Sequence, residues 1–424
     1  MIRVLILLPL LAALGWWLNQ EQQAGRFQRV DEQFLDFLVA NARDRFEKAE
    51  PPAGAASQVV FVKMRAADKA EYAGWPPRPL DWQMVLKGLQ PYHPAVVVVP
   101  ETLMWGRPSP EFVREAAAAL VPFPSTVLGI EARLAPNTDA PAFLGGLEDV
   151  LPRFQNEKVH GEMKTVPALG AFITAPDDLL RRQADIGVTM VRVEGDKTWL
   201  PYALQEGGSL RPTVLAQTMA HISGTPYASH RLLLGPGAGA YLANGAFVPL
   251  SPGGELLLNA QPQVPEVDAL NLMTVEMADA ISPQEKQLLG PGKVVVIGTD
   301  EGPAGGPVRQ HAQALARLLA MPRIHLLPQV AEWAVWAVAT LAGCALVFFV
   351  PRKKALLRGG LIIFLGLVTC FVAFQSRLIW CPPTLPVALL VAATLFARIA
   401  GRNDETKMAN DESMTKPGVV KETS

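Results

Sequence analysis

The sequence predicts an α/β extracytoplasmic domain, a mixed sheet with flanking helices, held between an N-terminal signal anchor and three C-terminal transmembrane helices. Three observations carry this. Half of the 424 residues are hydrophobic and mean hydropathy is +0.20, more apolar than a soluble globular average. The long uncharged apolar runs lie at the two ends of the chain. Between them, short β-branched runs alternate with helix-period segments, as strands packed against helices do.

The chain opens on "MIRVLILLPLLAALGWWL". Arg3 precedes an apolar run that closes on Trp16 and Trp17. Cleavage near Ala13 and Gly15 would leave a stub inside that run, and a tryptophan pair suits the membrane interface. An uncleaved signal anchor is therefore expected over residues 1–24. At the other end, Trp333 to Val350 carries no charge and would span about 27 Å as a helix. Gly359 to Phe374 and Thr384 to Ile399 are shorter apolar runs. The loop "PRKKALLR" holds Arg352, Lys353, Lys354 and Arg358, whereas "QSRLIWCPPT" holds only Arg377. The positive-inside rule puts the first loop, and with it both termini, in the cytoplasm. That frame implies a multi-pass protein of a bacterial inner membrane, with the bilayer as its first partner.

The middle, residues 25–329, is then one large outer domain. "RFQRVDEQFLDFLVANARDRF" reads as an amphipathic helix with Phe27, Val30, Phe34, Phe37, Leu38 and Phe46 near one face. "VVFV" at 59–62, "AVVVV" at 95–99 and "TVLGI" at 126–130 read as buried strands, and Leu80 to Leu89 as a helix. Ser109-Pro110-Glu111 opens another helix: a hydroxyl, a proline at the first helical position, an acid near the positive end. Asp177-Asp178 caps a further one, "IGVTMVRV" at 186–193 alternates as a half-exposed strand, and Pro212 to Ile222 is helical. Ser282 and Glu285 form a capping box around Pro283. "KVVVIGTDEGPAGG" follows at 293–306, then helix His311 to Ala320. Its glycines, Gly298, Gly302, Gly305 and Gly306, fit neither GxGxxG nor a Walker loop. They read as the turn that ends a buried strand.

Net charge is −1, so bulk charge points to no nucleic acid. The three cysteines, Cys344, Cys370 and Cys381, lie in or beside the C-terminal apolar stretches, so the outer domain has no disulfide. No HExxH, CxxC or GxSxG occurs, and no catalytic residue, metal or cofactor is expected.

These pieces, in this order, resemble the type-two CHASE domain, an extracytoplasmic sensory module of bacterial receptors. "GWPPRP" matches its W-P-x-R motif, giving Trp75, Pro76 and Arg78. "VVVVPETLMW" places Glu101 where the family usually has Asp, and "GKVVVIGTDEG" matches its last core strand. Two departures stand out. The family's D-D-x-S after the first strand is Lys63, Met64 and Arg65 here, and its D-x-D-G-x-x-R is "EGDKTWLP". The resemblance implies a sensor of an unknown signal, with Trp75, Arg78 and Glu101 as candidate ligand-binding residues. Trp75 would stack and Arg78 would form bidentate hydrogen bonds. Residues 401–424 read as a disordered cytoplasmic tail too short to hold the output domain such receptors commonly carry. Signalling would then pass to a membrane or cytoplasmic partner, with the chain a monomer or homodimer. The alternative is a structural envelope-assembly protein built on a degenerate sensor domain.

Overall fold

A computed structural model describes residues 2–134, 151–172, 177–195, 197–258, 262–273, 281–300 and 306–400. Gly302, Gly305 and the 401–424 tail fall outside them. Along the chain run α1 (Ile2–Gln23), α2 (Gln28–Glu47), β1 (Val59–Arg65), α3 (Pro79–Leu89), β2 (Val96–Val99), α4 (Pro110–Leu120), β3 (Thr126–Leu134), β4 (Leu169–Phe172), α5 (Asp178–Arg181), β5 (Asp185–Thr189), α6 (Val214–Ser223), β6 (Glu266–Asp268), α7 (Leu270–Met273), α8 (Pro283–Leu289), β7 (Val294–Asp300), α9 (Pro307–Ala320), α10 (Gln329–Phe349), α11 (Arg352–Arg377) and α12 (Thr384–Ala400). Shorter strands are given below by residue. The class is mixed α/β, and the chain divides into two compact units: Arg43–Arg323, and Met1–Ala42 with Ile324–Ser424.

The Arg43–Arg323 unit is organised by a seven-stranded sheet in the order β6-β1-β7-β2-β3, with β3 also pairing β4 and β5. Every pairing is parallel except β3 with β4. This explains the unbroken valine runs: a strand covered on both faces needs apolar side chains at both alternating positions. Val60, Val62, Val97, Val99, Val295 and Ile297 share one core with Trp82, Val85 and Leu86 of α3 and Ala116 and Leu120 of α4. The opposite face is packed by α6 and α9.

The helix ends follow their sequence signals. Ser282 Oγ accepts the Glu285 N–H at 3.2 Å while the Glu285 carboxylate accepts the Ser282 N–H at 2.9 Å. Asp177 accepts the Leu179 N–H at 2.9 Å. Pro110 opens α4 after the N-cap Ser109, but the Ser109 hydroxyl, expected to cap the helix, makes no capping hydrogen bond. The helix expected over Pro212 to Ile222 is α6, which starts at Val214 after its N-cap Thr213.

Three small sheets extend the unit. One joins Val159–His160, Arg231–Leu233, Gly239–Tyr241 and Phe247–Pro249; a second joins Arg192–Glu194, Lys197–Pro201 and Glu255–Leu258; the third is the hairpin Ala203–Glu206 with Ser209–Pro212. They correct one expectation. "IGVTMVRV" is not a single half-exposed strand: β5 is buried in the main sheet, and Arg192–Glu194 belongs to the second small sheet.

In the other unit, α10 and α11 are long and apolar enough to cross a membrane, and Thr384–Ile399 is a shorter apolar helix. Three spans were expected; two meet the length. "PRKKALLR" is not a loop, because α11 starts at Arg352 directly after its N-cap Pro351. Lysine, arginine, alanine and leucine are all good helix formers, so the helix extends over the basic stretch. Leu18 of α1 packs with Leu385 and Leu389 of α12. Asp31 of α2 accepts both the N–H and the hydroxyl of Thr384, at 3.1 and 2.7 Å. His325–Leu326, just before α10, pairs in parallel with Ile379–Trp380, just after α11. The expected apolar face of α2 is also corrected: Leu38 and Phe46 are buried, but Val30 and Phe37 are more than half exposed. Within this unit the buried positions of α2 are instead Asp31, Leu38, Val39 and Ala42, while Phe46 belongs to the Arg43–Arg323 unit, its ring 5.0 Å from that of Phe247.

Candidate ligand cleft

In an open parallel sheet, ligands gather in the crevice beyond the carboxyl ends of the strands. Such a crevice exists here. It has a volume of about 700 Å³ and lies beyond β2, β3, β5 and β7, with contributions from the approach to α3 and the start of α9. That volume is in the range of small-molecule sites.

Glu101 stands at its floor, two residues past β2. Thr299, at the end of the neighbouring β7, donates its N–H to Glu101 Oε1 at 2.8 Å, and its hydroxyl donates to the same oxygen. Two glycines make room for this placement. A Cβ at Gly129 of β3 would come within 2.8 Å of the Pro100 backbone and 3.0 Å of the Glu101 nitrogen. A Cβ at Gly298 of β7 would come within 2.8 Å of Val308 and 3.1 Å of the Glu101 carboxyl carbon. So Gly298, one of the four glycines of "KVVVIGTDEGPAGG", serves the close approach of a carboxylate and a helix.

Trp75 borders the same cleft, with Trp82 and Trp105. Its ring lies 5.6 Å from that of Tyr72. Burial raises the Tyr72 hydroxyl well above the ordinary tyrosine range, reinforced by Asp268, Asp68 and Asp81, so it stays protonated. The Trp105 indole donates to the Pro77 carbonyl at 3.0 Å, tying the loop after β2 to the proline turn. Asp81, fully buried, accepts the N–H groups of Ala73 and Arg78 at 2.8 and 2.7 Å. This fixes the "GWPPRP" turn at the start of α3.

Of the three residues singled out in the sequence, Trp75 and Glu101 meet in this cleft. Arg78 is not among the residues lining it: it is the N-cap of α3, its side chain runs past Gly74, and it lines an adjoining hollow that shares Trp75, Pro76, Met104 and Trp105 with the cleft. The sequence reading missed Glu131 and Trp105, which also line the cleft. Glu131 was legible only as one residue past the expected end of "TVLGI"; its N–H donates to Thr102 Oγ1 at 2.7 Å.

Lys63 and Arg65, which replace the acidic residues of the resembled pattern, lie in an ion-pair network. Lys63 meets Glu266 at 2.6 Å, and Arg65 meets Asp268 and Asp68, each at 2.6 Å. Arg309 bridges Glu266 and Asp300. The carboxylates of β6 thus neutralise the cations of β1 across one parallel pairing.

Comparison of the chain with protein-family models, curated proteins and solved structures gave no match.

Proposed function

We propose that this protein is a membrane-anchored sensor-like module of the type-two CHASE kind. Its α/β unit faces outward, takes a small molecule in the cleft beyond the parallel strands, and acts through a partner protein rather than by catalysis. The observation that carries the reading is the convergence of Trp75 and Glu101 in one cleft at the carboxyl edge of the sheet. Two residues picked from separate motifs are brought together where open α/β sheets bind ligands. The helices α10 and α11 support the membrane frame, and the basic start of α11 supports a cytoplasmic α10–α11 turn. On this reading α1 is an uncleaved anchor, α12 is the last span, and the protein resides in a bacterial inner membrane. The strand pairing of His325–Leu326 with Ile379–Trp380 joins the entry of α10 to the exit of α11.

The test has two arms. Reporter fusions at residue 200, at residue 355 and after α12 are expected to report outside, inside and inside; a cytoplasmic signal at residue 200 sinks the model. Replacing α10–α12 with helices of an unrelated membrane protein is expected to abolish a partner crosslink while the outer unit stays folded. A crosslink that survives the graft puts the partner on the outer unit and favours the envelope-assembly alternative.

A further inference from the structure

The lining of the cleft also specifies the charge of its occupant, an inference that rests on the sensor reading above. The polar side chains there are two carboxylates, Glu101 and Glu131, and three threonine hydroxyls; two half-buried indoles, Trp75 and Trp105, supply aromatic surface, whereas Trp82 is buried in the core. Among the described lining residues there is no lysine, arginine, histidine or side-chain amide. Two hydroxyls are already committed, Thr299 as a donor to Glu101 and Thr102 as an acceptor from the Glu131 N–H. The nearest cations do not line it: Arg78 lines the adjoining hollow, and Arg309 is held by Asp300 and Glu266. An anion entering this space would meet two carboxylates and no cation among the described lining residues.

We propose that the cleft binds an organic ammonium ion, its positive centre held by Glu131 and Glu101 and its alkyl or methyl groups laid against the indoles. Carboxylates supply the charge complement. Indole faces attract cations through their quadrupole and at the same time cover apolar substituents, which suits alkylated ammonium groups best. A volume of about 700 Å³ leaves room for a substituent well beyond the ammonium head.

The test uses the full chain in lipid nanodiscs, with binding read by titration calorimetry and tryptophan fluorescence. The probes are choline, its uncharged isostere 3,3-dimethylbutan-1-ol, acetate, glucose and calcium chloride, each to about 10 mM. Choline is expected to bind and to perturb the fluorescence, and the isostere to bind at least about tenfold more weakly. Glu131→Gln is expected to weaken choline about tenfold, and Trp75→Leu to remove most of the fluorescence response. Equal binding of choline and its isostere, tighter binding of acetate, glucose or calcium, or no binding of choline each overturns the ammonium assignment. The partner crosslink separates the two claims. Choline that binds without altering the crosslink leaves the ligand class standing and sinks the sensor reading. A neutral or anionic probe that binds and alters it does the reverse.

Discussion

At the residue scale, the most consequential side chain near the cleft is one that does not line it. Asp81 is fully buried, and its carboxylate holds two backbone N–H groups of the turn that presents Trp75. Removing it takes the charged acceptor from both N–H groups of this part-buried turn. Asp81→Ala is therefore expected to cost about 2 kcal/mol, the order expected when hydrogen bonds to a charged partner are lost. Asp81→Asn, which keeps one acceptor oxygen, is expected to cost about half as much. Urea unfolding of the full chain in detergent checks both, and a loss below about 1 kcal/mol for the alanine variant contradicts the assigned role. This residue also shows the limit of the sequence reading. Trp75 and Glu101 stood out because each sits in a short motif beside a strand or a proline turn. Asp81 looked like an ordinary helix residue, and Arg78 like a ligand contact. Only the turn geometry reveals that Asp81 holds the structure while Arg78 points its charge elsewhere.

At the element scale, the strands of the main sheet were legible because parallel strands buried on both faces are written as continuous valine and isoleucine runs. The capped helices were legible because Ser282 with Glu285, Asp177 and Pro110 are local signals. The small sheets between Val159 and Leu258 were not. Their strands are mostly three to five residues long, and residues such as "LLL" or "FVP" at that length carry no period to read. The cleft was half legible for a related reason: Glu131 joins Glu101 only through the adjacency of β3 and β2, which no local pattern records. Helix contacts in the apolar unit were equally obscure. Of the α11 glycines Gly359, Gly360 and Gly366, only Gly359 is a site of close helix approach: a Cβ there would lie 2.1 Å from Thr394 Oγ1 of α12, while nothing lies within 4 Å of the other two. Gly359→Leu is expected to separate α11 from α12 and cost about 1–3 kcal/mol, as overpacking does. Gly360→Leu and Gly366→Leu are expected to leave thermal unfolding of the detergent-solubilised chain unchanged. Equal losses at all three positions would refute this packing.

At the scale of the whole molecule, the stability of the α/β unit should depend on pH through two histidines that fold neutral. His311 lies inside α9, its Nδ1 within 2.8 Å of the Pro307 carbonyl. Burial pushes its pKa down to about 4, against a smaller upward pull from that carbonyl. His230 is buried beside Tyr202 and Tyr227, its Nδ1 within 2.9 Å of the Tyr202 hydroxyl, and desolvation lowers it likewise to about 4. In the unfolded chain both return to about 6.5. Between those values the unfolded state binds more protons than the folded one, so stability rises with pH and falls on acidification. The contribution is fully present above about pH 6.5 and is lost as pH falls toward 4, on the order of 3 kcal/mol for each imidazole at full extent. Glu255 opposes this. Its desolvation raises the carboxyl against the pull of Arg192, so acid relieves a cost there instead of adding one. The imidazole share must therefore be isolated, and His311→Asn does so: the amide can still donate to the Pro307 carbonyl but does not titrate. Urea midpoints of the full chain measured from about pH 7.5 to 4.5 are expected to fall less steeply in His311→Asn than in the parent. Coincident slopes would mean that His311 titrates alike in the folded and unfolded chain, and would contradict a buried α9 packed against the strands that carry the cleft.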